Sequence, residues 1–238
     1  VVFGLDEYVG HAPDATQSRA RWLDEHLLER VNIRRENVHL LDGSIAADEV
    51  DEYCRAYEMA IEKAGGIDLQ LLGIGTNGHV GCNEPFSVGL SRTRMATIDP
   101  VSRKARASEF FGEENVPTQA LTMGLGTIMR ARKIVLVALG EHKASIMRQT
   151  LEEEATDRVP ASWLREHLDA SCYVDVAAAG QLTGVATPWL LESVAWLRST
   201  FCSTFRTSKA ARRPASTSAS RCSLRAMTLR RRACWLAM

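Results

Sequence analysis

The chain contains 238 residues, 45% of them hydrophobic and 24% charged, which is ordinary usage for a globular protein with a substantial core. Its formal net charge is zero, but residues 199–238 hold nine Arg or Lys and neither Asp nor Glu, which leaves 20 basic against 29 acidic side chains in residues 1–198. An acidic body without any apolar run of about 18 residues argues against a nucleic-acid partner and against a membrane partner.

Strand and helix patterns alternate along residues 1–198. Helical spacing of apolar residues predicts a helix around 22–28 and another over 50–64, and Gly65 and Gly66 end the second helix. Short apolar runs, of the kind buried in a parallel sheet, predict strands at 1–3, 37–41, 67–72, 95–98, 133–139 and 172–175. The alternation predicts an α/β fold, namely a Rossmann-like parallel sheet with helices on both faces.

Residues 199–238 form a second, different region of the sequence. This basic tail is rich in Arg, Ser, Ala and Thr and has no sustained helical or strand period. We interpret it as disordered, or as the product of a reading-frame error, and therefore as separate from a single domain at 1–198. A basic arm that binds nucleic acid or anionic lipid is the alternative.

The six cysteines show neither C-x-x-C spacing nor a cluster with histidine; they are Cys54, Cys82, Cys172, Cys202, Cys222 and Cys234. We therefore expect neither a metal site nor a disulfide framework. No signal-peptide pattern is recognisable, so a cytoplasmic location is the expectation.

The most informative stretch is 72–85, which reads Leu-Gly-Ile-Gly-Thr-Asn-Gly-His-Val-Gly-Cys-Asn-Glu-Pro and follows a predicted strand. Functional groups of parallel sheets gather at the carboxyl ends of strands. Three of its glycines formally match the dinucleotide fingerprint G-x-G-x-x-G. That interpretation is rejected, because the fingerprint needs a helix that opens at its third glycine. Here another glycine and a proline interrupt the turn that follows.

The stretch instead resembles the signature of the glucosamine-6-phosphate deaminase and isomerase family, roughly G-x-G-x-[DN]-G-H-[IV]-x-x-N-E-P. Residues 5–10, Leu-Asp-Glu-Tyr-Val-Gly, resemble a second family segment, L/M-D-E-Y-V-G. The resemblance extends to about residue 197. Further matching segments follow in the family's order at 91–94, 110–111, 116–117, 120–124 and 139–144.

The resemblance implies an enzyme that converts glucosamine 6-phosphate and water to fructose 6-phosphate and ammonia without a cofactor. It also implies that Gly75 and Gly78 contact the substrate. Family members carry, ahead of the Asp-Glu-Tyr segment, a first βα unit whose loop helps to bind the substrate phosphate. Because this sequence begins at Val1, we interpret that unit as missing. A homo-oligomer is left open.

The resemblance assigns catalytic roles to four residues. His79 matches the ring-opening acid and base, a role that suits an unperturbed pKa of about 6.5. Glu84 would orient the imidazole and stabilise its charged form. Asn77 stands where other members have an aspartate, so Glu84 is expected to be the only carboxylate partner. Asp6 matches the base that moves the C2 proton; helix capping is its alternative role.

The expected phosphate site departs from the family pattern. Lys143 matches the family's phosphate-binding lysine, at the start of a predicted helix. The family often has an arginine just before its Phe-Phe pair, but this chain has Glu109, so we expect Arg106 or Arg103 to substitute for it.

An allosteric phosphate site of some hexameric members is matched only in part. Ser87 and Arg94 fit that site, but Ala96 replaces its lysine, so no such regulation is expected.

Two other functions stay open at this point. A 6-phosphogluconolactonase would share the fold and the glycine-rich turn, but those enzymes lack Asn-Glu-Pro and carry Asp-Glu-Arg where this chain has Asp6-Glu7-Tyr8. A catalytically silent sugar-phosphate binder is the other alternative, because of Asn77, Glu109 and the absent first unit.

Overall fold

The computed structural model describes residues 1–186 and 203–207, in which short strands alternate with helices. The strands are β1 Val2–Phe3, β2 Asp6–Tyr8, β3 Val38–His39, β4 Gln70–Leu72, β5 Arg94–Thr97, β6 Gln119–Thr122, β7 Ile134–Ala138, β8 Ala170–Val174 and β9 Ser203–Thr207. The α-helices are α1 Arg19–His26, α2 Val50–Lys63, α3 Pro100–Arg106, α4 Leu125–Ile128, α5 Ala144–Glu152 and α6 Thr183–Ala186.

Parallel pairing dominates the centre of the molecule. Strands β4, β7 and β8 pair in parallel in that order, and β1 pairs in parallel with β3. In β7 buried and half-buried residues alternate, which is the period-2 pattern of a strand. The predicted α/β fold with parallel strands is confirmed.

A three-stranded antiparallel sheet, in the order β2-β6-β5, was not predicted. Strand β5 overlaps the strand predicted at 95–98, but β2 and β6 have only three and four residues, which is too short for a period-2 signal to stand out. The register sets Asp6 opposite Thr122, and Arg94 opposite the same threonine from the other side. This sheet therefore fixes the position of Asp6.

Helix α2 forms where the apolar spacing predicts it. Val50, Cys54, Tyr57 and Ile61 recur at three- and four-residue intervals and are buried. Two glycines with positive φ, at 65 and 66, follow the helix, a conformation that favours glycine. The Tyr57 hydroxyl donates a hydrogen bond of 2.8 Å to the Gly4 carbonyl oxygen, which ties α2 to the chain just after β1.

The start of α1 is capped by the neighbour of Asp6. The buried Glu7 carboxylate accepts hydrogen bonds from the backbone N–H groups of Arg19 at 3.1 Å and Ala20 at 2.9 Å. It also accepts from the hydroxyl of Ser18, the N-cap residue, at 2.6 Å. Capping is thus supplied by Glu7 and Ser18, and Asp6 faces elsewhere.

Hydrophobic clusters include residues of the glycine-rich stretch: Val80 belongs to the largest and Cys82 to the next. The largest also includes residues of the parallel strands and of α2. The next includes Tyr8 and Ala120 of the antiparallel sheet, and its full membership is Tyr8, Cys82, Ile98, Phe110, Val116 and Ala120.

The predicted tail is described only in part. Residues Ser203–Thr207 form β9, which pairs antiparallel with β8, a strand that the sequence pattern did not predict. Residues 199–202 and 208–238 lie outside the described residues.

Candidate active site

One cavity of about 370 Å³ opens where several segments of the fold meet. The chain that follows β1, β4 and β7 contributes one side, as expected for the carboxyl ends of parallel strands. Helices α1 and α3 contribute the other. The lining residues are Leu5, Asp6, Arg19, Gly73, Ile74, Gly75, Thr76, His79, Gly81, Ser102, Ala105, Arg106, His142 and Lys143.

The glycine-rich turn after β4 brings His79 to this cavity. The Gly75 N–H donates to the His79 carbonyl oxygen at 2.9 Å, and the Gly78 N–H donates to the Gly75 carbonyl oxygen at 3.0 Å. A side chain at Gly75 would overlap the imidazole, so the ring packs directly on the backbone there. Gly78 has a φ of +86° and supports the turn, but it does not line the cavity.

Behind the imidazole, the predicted partners of His79 form a hydrogen-bonded group. The Asn77 amide nitrogen donates to Glu84 Oε2 at 2.9 Å, and Asn77 Oδ1 lies 2.7 Å from His79 Nδ1. Glu84 Oε2 itself lies 3.4 Å from Nδ1. The three residues proposed from the sequence are thus in contact, and they are joined by a fourth residue.

Ser102, on α3, is the residue that the sequence analysis missed. Its hydroxyl donates to Glu84 Oε2 at 2.8 Å and lies 3.0 Å from His79 Nδ1. The Asn77 amide nitrogen is 3.3 Å away. We call Asn77, His79, Glu84 and Ser102 the buried relay. No helix was predicted here; the Asp99-Pro100 pair at the start of α3 is a signal for one, but it does not reveal which face of the helix meets His79.

The hydrogen bonds of the buried relay determine the tautomer of His79. Because the Asn77 amide nitrogen is directed at the Glu84 carboxylate, its oxygen faces Nδ1, and an oxygen can only accept there. Nδ1 therefore carries the hydrogen, and Nε2 presents its lone pair on the opposite edge of the ring. A hydrogen-bond donor of Arg106, Nη2, lies 3.4 Å from Nε2.

Burial and nearby cations keep the imidazole neutral. Burial, together with Arg106, Lys143 and Arg19, lowers the pKa of His79 to about 3. Burial also raises the pKa of Glu84, against the opposing effect of its hydrogen bonds from Asn77 and Ser102. In the ligand-free chain at neutral pH, His79 is therefore a neutral base.

Cations line the cavity wall that faces Nε2. Burial and the neighbouring Arg106 lower the pKa of Lys143. Arg106 Nη1 is buried and has no hydrogen-bond partner, which is costly for a charged donor. Arg19 also lines this wall and was not predicted as a site residue. We call Arg19, Arg106 and Lys143 the cation wall.

The geometry distinguishes the two arginines considered as substitutes near the Phe-Phe pair. Arg106 enters the cavity, whereas Arg103 donates to the carbonyl oxygens of Val116 at 3.3 Å and Glu113 at 3.0 Å, away from it. Glu109 does not line this cavity, and its side chain is 54% exposed.

Among the residues that the structure describes, Asp6 is the only carboxylate that lines the cavity. It stands at the first position of β2, where the Cys82 thiol donates to its Oδ2 at 3.4 Å. Asp6 and Nε2 of His79 therefore face the same space from different segments of the chain.

Within residues 1–186 and 203–207, no helix combines the length and the apolarity that crossing a membrane requires. In the same residues no three His, Cys, Asp or Glu side chains come close enough together to hold a metal ion.

Three features together indicate an acid–base enzyme. They are the parallel α/β core, the neutral His79 hydrogen-bonded to Asn77, which in turn binds the Glu84 carboxylate, and the adjoining cation wall. The model of the family of glucosamine-6-phosphate isomerases and 6-phosphogluconolactonases matches residues 1–172, and the chain belongs to this family.

Curated relatives carry the name glucosamine-6-phosphate deaminase. One, from Thermoanaerobacter sp. (strain X514), is 44% identical over 179 residues, which is 75% of this chain and 70% of the relative. Another, from Arthrobacter sp. (strain FB24), is 46% identical over 180 residues, 76% of this chain and 68% of the relative. A deaminase-like protein of Bacteroides thetaiotaomicron is 43% identical over 197 residues, but this chain spans only 30% of its length.

Solved structures agree with the fold. A monomeric glucosamine-6-phosphate deaminase superposes with a TM-score of 0.72 at 35% identity, covering 75% of this chain and 73% of that one. A 6-phosphogluconolactonase from Trypanosoma brucei superposes with a TM-score of 0.57 at 23% identity, covering 76% and 73%, and this likeness concerns the fold alone.

Proposed function

We propose that the chain is a glucosamine-6-phosphate deaminase, which converts glucosamine 6-phosphate and water to fructose 6-phosphate and ammonia. The observation that carries the proposal is the pairing, in one cavity, of the Nε2 lone pair of His79 with the Asp6 carboxylate and a wall of cations. The relatives at 44% and 46% identity carry this name, whereas the lactonase structure is only 23% identical. The lactonase alternative is therefore not favoured.

Ring opening is the role proposed for His79. The cyclic sugar must lose the proton of its C1 hydroxyl and gain one on the ring oxygen as the bond between C1 and that oxygen breaks. Nε2 can take and return this proton, while Nδ1–H stays bonded to Asn77. The imidazolium formed in between is stabilised by the Glu84 carboxylate, 3.4 Å from Nδ1.

Isomerisation is the role proposed for Asp6. Its carboxylate removes the C2 proton of the open-chain amino aldehyde while the C1 oxygen gains a proton, which yields an enol with the amine on C2. Transfer of the proton held by Asp6 to C1 gives the protonated 2-imine; water adds to C2 with loss of a proton, and the resulting carbinolamine releases ammonia to leave the C2 ketone. A base and an acid on different sides of one cavity supply these transfers without a cofactor.

Phosphate binding is the role proposed for Lys143 and Arg106. The unpartnered Nη1 of Arg106 and the half-buried ammonium of Lys143 would both gain an anionic acceptor. Gly75 is proposed to let the sugar approach the backbone beside the imidazole. Gly78 contributes indirectly, through the shape of the turn.

The assay incubates the purified chain with glucosamine 6-phosphate and measures ammonia and fructose 6-phosphate together. Equal release of both products that disappears in His79→Ala supports the proposal. Binding of the sugar phosphate without release of either product would instead identify a silent binder.

The role of Asp6 has its own isotopic measurement. In the wild-type chain in D₂O, we expect deuterium to exchange into the substrate at C2 or the product at C1. In Asp6→Asn this exchange should fall by about 10³-fold or more, since the variant loses the one carboxylate that residues 1–186 and 203–207 place in the cavity lining. Asp14→Asn, at an exposed position of the following loop, is the matched control. Exchange that survives in Asp6→Asn would remove Asp6 from the mechanism.

A further inference from the structure

Arg19 is a cation of the cavity that neither the sequence motifs nor the family resemblance assigned. It is the first residue of α1 and lines the cavity from a different segment of the chain than Lys143 does. The backbone N–H of Arg19 already donates to Glu7, so the helix terminus itself is occupied. What Arg19 offers to the cavity is therefore its guanidinium.

Tyr8 holds that guanidinium in one orientation. Nη2 of Arg19 donates to the Tyr8 hydroxyl at 2.7 Å, and the guanidinium carbon lies 5.0 Å from the centre of the Tyr8 ring. The ring in turn packs edge-on against Phe110, with centroids 5.0 Å apart. Burial raises the pKa of Tyr8 to about 12, so the hydroxyl stays neutral and does not itself compensate the charge of Arg19.

Arg19 also lies at the border of a second cavity. Glu109 lines that second cavity together with Arg19, and its Oε2 lies 4.0 Å from Nη2. Because Glu109 is mostly exposed, this ion pair is weak. In the first cavity, by contrast, the described lining residues set one carboxylate, Asp6, against the three cations Arg19, Arg106 and Lys143. The excess positive charge is therefore directed into the first cavity.

We propose that Arg19 is a substrate-binding residue whose guanidinium holds the phosphate dianion of the substrate, and that Glu109 competes with the dianion for it. This inference rests on the proposed function, which supplies the sugar phosphate as substrate. An arginine that is fixed before the ligand arrives loses little conformational freedom on binding. The paired N–H donors of its planar guanidinium also match the oxygens of a phosphate.

The experiment measures binding of inorganic phosphate and of glucosamine 6-phosphate by calorimetry, beside KM and kcat for glucosamine 6-phosphate. Arg19→Ala should weaken binding of both ligands by about tenfold or more, because a charge-assisted hydrogen bond is lost. KM should rise by a similar factor, with kcat changed by less. Arg19→Lys should recover part of the lost affinity, because it restores the positive charge but not the paired N–H donors of the guanidinium.

Two further variants make the result specific. Arg21→Ala is the matched control, since Arg21 lies on the same helix but pairs with Glu25 at the surface, and it should change binding by less than about twofold. Glu109→Gln should tighten phosphate binding by about twofold, because the competing carboxylate is removed. This variant keeps the proposal testable even if Arg19→Ala folds poorly.

Unchanged phosphate binding in a folded Arg19→Ala overturns the proposal, as does weaker binding in Glu109→Gln. A wild-type chain that binds glucosamine 6-phosphate but releases no ammonia would refute the deaminase function. In that case the calorimetric loss in Arg19→Ala would still support Arg19 as the phosphate ligand.

Discussion

The buried relay and the cation wall meet at His79, but they differ in how many of their polar groups already have a hydrogen-bond partner. In the relay, hydrogen bonds of 2.7 to 3.0 Å link His79 to Asn77 and Ser102, and Glu84 to both of them. In the cation wall, Arg106 Nη1 is buried without a partner and like charges face one another. The hydrogen bonds around His79 Nδ1 and Glu84 Oε2 are thus already formed, although Glu84 Oε1 has no partner among the described residues, whereas the wall has an unpaired donor and an excess of positive charge.

This difference predicts which kinetic constant each region controls. A preorganised relay acts on the moving proton and should affect kcat. A wall of unsatisfied donors acts on a group that is anionic in both substrate and transition state, and should affect KM. The predictions below follow from this division.

The largest effect is expected for His79→Gln. We expect kcat to fall by about 10³-fold, because no other group presents a neutral lone pair at that place, while KM for glucosamine 6-phosphate changes by less than about threefold. Steady-state kinetics measure both constants. His26→Gln, at an exposed position of α1, is the control. A large rise in KM in His79→Gln would mean that the relay also binds substrate.

The next effect concerns the cation wall. Lys143→Gln should raise KM for glucosamine 6-phosphate by about ten- to a hundredfold and leave kcat within about threefold. The exposed Lys104→Gln should change neither constant. If kcat falls and KM is constant in Lys143→Gln, the division between relay and wall is wrong.

Ser102→Ala should have a smaller effect on the relay. Loss of its hydroxyl leaves Glu84 bonded to Asn77 but removes one donor to the carboxylate, so we expect kcat to fall by about tenfold with little change in KM. Ser108→Ala, an exposed serine in the turn after α3, is the matched control. Equal kinetics in both variants would show that Ser102 only fills space.

A separate prediction concerns stability, not catalysis, as a function of pH. The pKa of His79 is about 3 in the folded chain and about 6.5 when unfolded, so the stability that neutral His79 contributes is present above pH 6.5 and lost as the pH falls towards 3. The slope from this one residue is at most about 1.4 kcal/mol per pH unit.

Urea unfolding of the wild-type chain and of His79→Gln at several pH values measures this contribution. The free energy of unfolding should fall less steeply in the variant between pH 6.5 and 4. Glu84, whose pKa burial raises, acts with the opposite sign, because its contribution is lost as the pH rises through its folded pKa. Identical slopes in the two proteins would mean that His79 is charged in the folded state.

Much of the fold and half of the site were readable from local sequence. The apolar spacing of α2 and the alternation in β7 each lie within a few residues, so their periodicity predicts them. His79, Asn77 and Glu84 fall within one eight-residue stretch of a glycine-rich turn. Their contact was expected from the family resemblance, which assigns them linked roles, and the short distance between them along the chain keeps them close in space.

Tertiary structure alone decided the rest. Ser102 is 23 residues from His79, and Arg19 is 11 residues from the Tyr8 hydroxyl that orients it. Their roles depend on how α3 and α1 pack over the turn, and helix periodicity says which residues share a face but not which neighbour that face meets. The antiparallel sheet that holds Asp6 was likewise invisible, because strand pairing between distant short segments leaves no local pattern.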